Sequence, residues 1–382
     1  MGLKTGVLGI ALIAVLSVSI IAAGWWLGIA SATSDFFVGV EFAYNEDAGD
    51  SAALVEDLKV LVDEVKGYTN MFVVGSIEIS FNQTALDEAC DYVVDSGSHL
   101  IVFLTDSRDY SYNIFDWGAE AKQKYGDMFL GVYRYDEPGG HQLDNGPSRL
   151  IDNATDYADM ADKYSSYLNI LLSHHKNYSD TVITADYGLY WFDYKAGYTA
   201  VLTEFGWKHS RPTHIGLCRG AAKAYNRDWG AIVTWEYTDE PYIESGEELY
   251  EDMVLAYRNG AKYLVIFNYP KIGPYGILEE EHFSALQDFW SYIHRNPQEH
   301  GVVKAEAAYV LPKNYGFGFR NPKDRIWGLW EADELSQKVW DDVNTLVEQY
   351  GSRLDIVYDD PEFMDAVKNR YDKLFFWNET IT

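Results

Sequence analysis

The sequence predicts an α/β fold. It reads as a (β/α)8 TIM barrel followed by a small flavodoxin-like α/β unit, with a transmembrane or signal segment in front. Three observations predict it. Eight short apolar runs recur between Phe36 and Tyr269. Stretches with helical periodicity separate most of them, which is the strand–helix arithmetic of a barrel. Each run is nearly continuous in apolar residues, as parallel strands covered on both faces are.

In chain order the runs are 36–44, 70–76, 99–105, 128–135, 180–187, 199–205, 230–237 and 262–269. Between the first two, Leu54, Leu58, Leu61, Val62 and Val65 fall on one face of a helix. Further helical patterns follow the later runs, except after the fifth. There residues 188–198, GLYWFDYKAGY, hold no full helix, so that crossover is expected to be degenerate. Its rings, from Tyr187 to Tyr198, fit either a sugar-stacking lid or packing. A doubly wound open sheet is the alternative. No glycine-rich phosphate loop follows the first run, and Gly139-Gly140 is too short to count as one.

After Pro297 the pattern becomes strand (305–312), a loop rich in Gly and aromatics, helix, strand, helix and strand. Three strands make a marginal core, so this unit is expected to pack on the barrel. It also offers a surface for homo-oligomer assembly. The expected divisions are therefore 1–32, 33–298 and 299–382.

Residues 6–30 carry no charge, and about 20 apolar residues suffice to cross a bilayer. Lys4 precedes this run, Trp25 and Trp26 stand near its far end, and Ala30-Ser31-Ala32 resembles a small-residue cleavage site. An uncleaved anchor is favoured over a cleaved signal. Either one places the barrel on the extracellular face of the membrane or in the medium. Four N-x-[ST] sequons, at Asn82, Asn153, Asn177 and Asn378, agree with export.

The net charge is −29. That excludes a nucleic-acid partner, which needs a basic surface to displace counterions. Two cysteines, Cys90 and Cys218, exclude a disulfide scaffold. No HExxH-like pair or calcium-loop spacing occurs, so neither a metal nor another cofactor is expected. No Gly-x-Ser-x-Gly elbow is present. His209 and His214 flank the start of the 211–228 helix and are secondary candidates.

In a barrel, chemistry collects at the C-terminal ends of the strands. Reading those ends in order gives Glu41 and Tyr44, Asp106, Asp136 and Glu137, Asp186 and Tyr187, Glu204, then Trp235, Glu236 and Tyr237, and finally Asn268 and Tyr269. Carboxylates accept sugar hydroxyls and rings cover apolar sugar faces. An oligo- or polysaccharide is therefore the expected ligand. Glu137 and Glu236 stand out as the pair that glycoside hydrolysis needs, one carboxyl protonating the leaving oxygen and one attacking or activating water. Glu204 is the rival second carboxylate.

A Glu-Pro dipeptide closing strand 4 and a Glu closing strand 7 resemble the retaining (β/α)8 glycoside hydrolases, which include many β-galactosidases, cellulases and mannanases. The resemblance covers residues 36–298 in architecture and only a few residues in motif. It implies Glu137 as acid/base and Glu236 as nucleophile, with the remaining strand-end residues binding substrate. Two departures stand against it. Asp136 occupies the place where those enzymes carry Asn, and Tyr269 the place where they often carry Trp. The competing expectation is a non-catalytic glycan-binding or cell-envelope protein on the same scaffold.

Overall fold

The computed structural model describes residues 36–45, 50–105, 110–144, 149–175 and 181–381. The expected N-terminal segment, Asp106 and Asn177 lie outside the described residues. Among the described residues no helix is long and apolar enough to cross a membrane.

Eight parallel strands close into one barrel in chain order. They are β1 (Phe37–Phe42), β2 (Met71–Val74), β3 (His99–Leu104), β4 (Phe129–Arg134), β5 (Val182–Asp186), β6 (Ala200–Phe205), β7 (Asp228–Val233) and β8 (Tyr263–Asn268). Closure is made by β1 against β8, with Glu41 opposite Phe267. Successive side chains of a strand point to opposite faces. One set, including Phe37, Met71, Ile101, Tyr133, Ile183, Leu202, Ile232 and Val265, fills the barrel interior. The other set packs outward against the helices.

The first helix, Ser51–Val65, shows how the outer ring forms. Asp50 caps it by accepting from the backbone N–H of Ala52 and Ala53, and Leu54, Leu58, Leu61, Val62 and Val65 are buried. Cys90 and Cys218 are buried and free. Between β5 and β6 the crossover is short but helical, Tyr190–Ala196. Tyr187, Tyr190, Trp191, Phe192, Tyr194 and Tyr198 are all buried, so the aromatic run is packing and not a lid.

A three-stranded parallel sheet follows, in the order β10 (Leu354–Tyr358), β9 (Ala307–Leu311), β11 (Lys373–Phe376). It docks on the helix Arg211–Tyr225. Gly216 and Gly220 of that helix permit the approach, since a Cβ there would lie 2.7 and 2.6 Å from the carbonyl oxygens of Leu354 and Ile356. Asp355 on β10 is fully buried and accepts from Arg219 at 2.8 Å, Lys223 at 2.7 Å and Tyr371 at 2.7 Å. Burial pushes its carboxyl up, but the two cations overcome this and hold it below its ordinary value.

Removing one partner of a buried ion pair costs about 3–5 kcal/mol, so Asp355→Ala is expected to lose that much in chemical denaturation at neutral pH. The native carboxyl is depressed, so its contribution is complete above the ordinary carboxylate range and fades as pH falls through the lowered value. The difference between wild type and variant should shrink in strong acid.

Candidate active site

The chain leaving β4 turns sharply. Tyr135 and Glu137 both take left-handed backbone angles, φ 59° and 46°, each costing about 1–3 kcal/mol for a residue other than glycine. The end of β5 holds this turn. Thr184 Oγ1 donates to the Tyr135 carbonyl at 2.6 Å, and the Glu137 N–H donates to the Ala185 carbonyl at 3.1 Å. Buried Asp186 accepts from the N–H groups of Gly139 at 2.6 Å, Gly140 at 3.1 Å and Tyr187 at 2.8 Å. A Cβ at Gly139 would sit 2.4 Å from the Asp186 carboxylate. That position therefore requires glycine, and it presents Glu137 to the barrel mouth.

Asp186 is in hydrogen-bonding contact with Asp193, which in turn accepts from Tyr164 at 2.7 Å. Burial raises both carboxyls, so the pair holds a proton. Both oxygens of Asp186 also face backbone N–H donors.

The mouth encloses a cavity of about 370 Å³. Its lining includes Glu41 from β1, Asp136 and Glu137 after β4, Glu204 from β6, and Phe267 and Tyr269 at the end of β8. No Lys, Arg or His is among the described residues that line it. Tyr133 donates to Asp136 from below. The side chains of Glu137 and Glu204 are hydrogen-bonded to each other. They stand on either side of β5, which contributes only the small Ala185 to the lining.

Burial and the Asp136 charge push Glu137 up to about 8. Glu204 is raised well above its ordinary range by burial and then by the charges of Glu137, Asp136 and Asp186. Glu41 is raised by burial and by Asp136. Asp136 is itself open to the cavity, so the desolvation that raises its carboxyl comes from the surrounding walls and not from full enclosure. Two carboxyls in contact cannot both ionise readily. At neutral pH the pair Glu137–Glu204 therefore carries at least one proton. Among the described residues no group of three or more His, Cys, Asp or Glu is placed to hold a metal ion.

The structure brings Glu204, and not Glu236, together with Glu137. β7 ends at Val233, and the Glu236 N–H donates to the Tyr242 carbonyl at 2.7 Å within a loop. The Glu236 carboxylate faces the Lys208 N–H at 3.2 Å and the Arg211 guanidinium at 3.4 Å, and Arg211 also binds Glu244 and Asp252. It is held in an ion-pair network and does not line the cavity.

Other residues expected to bind substrate make contacts within the fold. Asn268 donates to the Tyr44 hydroxyl at 2.7 Å and to the Tyr275 carbonyl at 3.1 Å, and both Asn268 and Tyr44 are buried. Tyr187 is buried and donates to Asp144 at 3.0 Å. Trp235 lies behind Tyr269, its ring nearly parallel at 6.0 Å and its indole N–H donating to the Tyr269 carbonyl. Tyr237 faces solvent. Tyr133, Phe103, Thr234 and Phe267 line the cavity without having been singled out in the sequence. The signal for them was parity along each strand, counted from the interior residues below.

No family model matches the chain, and no curated protein matches it. Solved structures do. Alpha-L-fucosidase isoenzyme 2 from Paenibacillus thiaminolyticus is similar at 10% identity and a TM-score of 0.54, over 89% of this chain and 64% of that one. The chain thus spans less than two thirds of the fucosidase's length, and the likeness is one of fold. An endo-alpha-mannosidase from Bacteroides thetaiotaomicron follows at 12% identity and TM-score 0.41, over 69% of this chain and 99% of the other. A beta-glucanase from Saccharophagus degradans follows at 15% identity and TM-score 0.39, over 68% and 88%. All three are named as glycoside-cleaving enzymes, the group that the strand-end motifs resemble, and no single family is specified.

Two outcomes test the site as built. Asp186→Ala strands three buried N–H groups, each worth about 1–3 kcal/mol. It should be strongly destabilised in denaturant titration, whereas Asp193→Asn, whose amide can donate to Asp186, should stay close to wild type. Glu137, raised to about 8 from its ordinary 4.5, binds more protons folded than unfolded between those values. Stability should therefore fall as pH rises through that window. Glu137→Gln removes this loss, so its melting temperature should exceed wild type at pH 7 and converge with it below pH 4.

Proposed function

We propose that the chain is a glycoside hydrolase working by retention, with Glu137 as acid/base and Glu204 as nucleophile. The observation that carries this reading is the carboxyl pair itself. Two glutamates from β4 and β6 touch across an open cavity, and surrounding carboxyls and burial keep one of them protonated. Direct contact is closer to the ~5–5.5 Å of retaining pairs than to the ~6.5–9.5 Å that leaves room for an inverting water.

In the first step Glu137 gives its proton to the glycosidic oxygen while a Glu204 oxygen attacks the anomeric carbon. The bond to the leaving sugar breaks and a glycosyl ester forms on Glu204. Glu137, now ionised, takes a proton from water, which attacks the same carbon and releases Glu204. Tyr269 and Phe267 offer faces for the sugar ring.

The same reading places the barrel outside the cytoplasm. The uncharged run at residues 6–30 supports this. So does the exposure of Asn82, Asn153 and Asn378. Asn82 is the weakest of these acceptors, because its amide caps the helix Gln83–Asp95 and donates to Ser51.

Glu137→Gln and Glu204→Gln should each lower kcat on a cleaved glycan about a thousandfold, within the usual range for losing a positioned acid or base. Glu236→Gln should keep most of the activity. The rate of the wild type should fall as pH rises through about 8, where Glu137 loses its proton. Turnover that survives the double substitution would overturn the assignment. Absence of turnover on a broad polysaccharide panel would favour the glycan-binding alternative.

A further inference from the structure

We propose that a second cavity beside the first is a subsite for an anionic group on the glycan, a uronate carboxylate or a sulfate ester. The substrate would then be an acidic oligosaccharide, an inference that rests on the hydrolase reading above. This cavity, of about 490 Å³, lies between the loop after β6 and the Gly- and aromatic-rich loop that follows β9. Its ionisable lining is entirely basic: Lys208, His209 and Arg320. That composition is unexpected in a chain with 59 acidic residues and 30 Lys and Arg. A random surface hollow here should be lined mainly by carboxylates.

The three groups differ in what they can give. Arg320 is already committed to Asp144 and Asp324, so it shapes the wall and supplies the remaining N–H vectors of its guanidinium. Lys208 makes no salt bridge among the described residues, although its charge acts on Glu248, and its ammonium stands 5.3 Å from the Tyr237 ring centroid. It is the cation left available. His209 is kept neutral by burial and by Arg320 and Arg211, and its ring packs against those of Tyr187 and His214, so it forms part of the wall without adding charge. Trp207 and Trp340, also in the lining, supply flat apolar faces of the kind a sugar ring covers.

Aromatic contacts link the walls of the two cavities. Tyr269 of the first stacks with Trp235, and Trp235 meets the exposed Trp207 edge-on, each pair at 6.0 Å. On the other side, Tyr187, whose ionisation is opposed by burial and then by the Glu137 charge, lies 5.9 Å from the His209 ring. A glycan with one residue at the Glu137–Glu204 pair would reach the basic cavity along this path. The acidic first cavity would repel an anion and the basic second would hold it, so the charge pattern also sets the direction in which the chain lies.

The test is calorimetric binding to the full-length chain carrying Glu137→Gln, so that no probe is turned over. The probes are a galacturonate hexamer against its methyl ester, and a carrageenan hexasaccharide against its desulfated form. At least one anionic probe should bind about 10-fold more tightly than its neutral counterpart, the worth of one charge-assisted hydrogen bond. Which probe does so identifies carboxylate or sulfate as the recognised group. Adding Lys208→Gln, at an exposed side chain, should erase the preference and leave neutral probes unchanged. High salt should reduce it. Equal binding of charged and neutral forms, or no binding of either, overturns the proposal, as does a preference that survives Lys208→Gln. Failure of the hydrolase reading shows separately, as turnover that persists without Glu137 and Glu204.

Discussion

The geometry of the barrel mouth depends on a carboxylate that never faces it. Asp186 is fully buried, yet three backbone N–H groups converge on it from the turn after β4 and from its own loop. Without that acceptor the turn has no reason to hold two left-handed residues in succession around Asp136. With it, the strain at Tyr135 and Glu137 is offset by charge-assisted hydrogen bonds, which are roughly twice as strong as neutral ones. The proton shared with Asp193 lets the pair stay buried without a cation beside it. The cavity carboxyls therefore experience the field of Asp186 but no neutralising lysine or arginine, and their raised pKa values follow from the same arrangement that positions them.

The C-terminal sheet belongs to this scaffold. Gln142, one turn beyond Glu137, donates to the Trp327 carbonyl at 2.9 Å, and Trp327 is fully buried against Tyr164 and Phe192. Arg320 reaches back to Asp144 at the end of the same short helix. The short helix Pro138–Leu143 that follows Glu137 is therefore clamped by β5 on one side and by the loop after β9 on the other. A three-stranded unit too small to be stable alone gains its core from the barrel, and the barrel gains a wall for its second cavity.

Much of the fold was legible because parallel strands buried on both faces announce themselves as apolar runs, and all eight runs became strands. Glu137 was legible for a local reason: the Glu-Pro pair follows the apolar run closely and marks the exit from β4, which ends at Arg134. The second carboxylate was harder. Parity from Gly230 and Ile232 through Thr234 would carry Glu236 inward, but only while the strand continues, and it ends at Val233. Glu204 lies inside β6, in register with Ile232, so its parity from Ala200 and Leu202 holds. The distinction between a strand's last residue and its apparent end is one of hydrogen bonding between strands, which no local pattern in β7 encodes. Asp186, Tyr44 and Asn268 were read as ligand-facing because a polar residue at a strand end looks the same whether it meets solvent or an orphaned N–H. Their partners lie up to 224 positions away.

The acidity of the chain takes on two meanings once the cavities are separated. Over most of the surface the carboxylates are exposed and screened, where each contributes little. At the mouth the same residue type is desolvated and crowded, and crowding without cations is what makes a carboxyl a proton donor at neutral pH. Such a site is unstable by construction, because each ionisation there opposes the folded state. The barrel tolerates it because the interior below is packed with aliphatic and aromatic side chains and needs no polar residue for closure. The basic lining of the neighbouring cavity is then the complement of the acidic one. It supplies positive charge close to the carboxyl pair without lining the same cavity, and so leaves the protonation of Glu137 to burial and to its acidic neighbours.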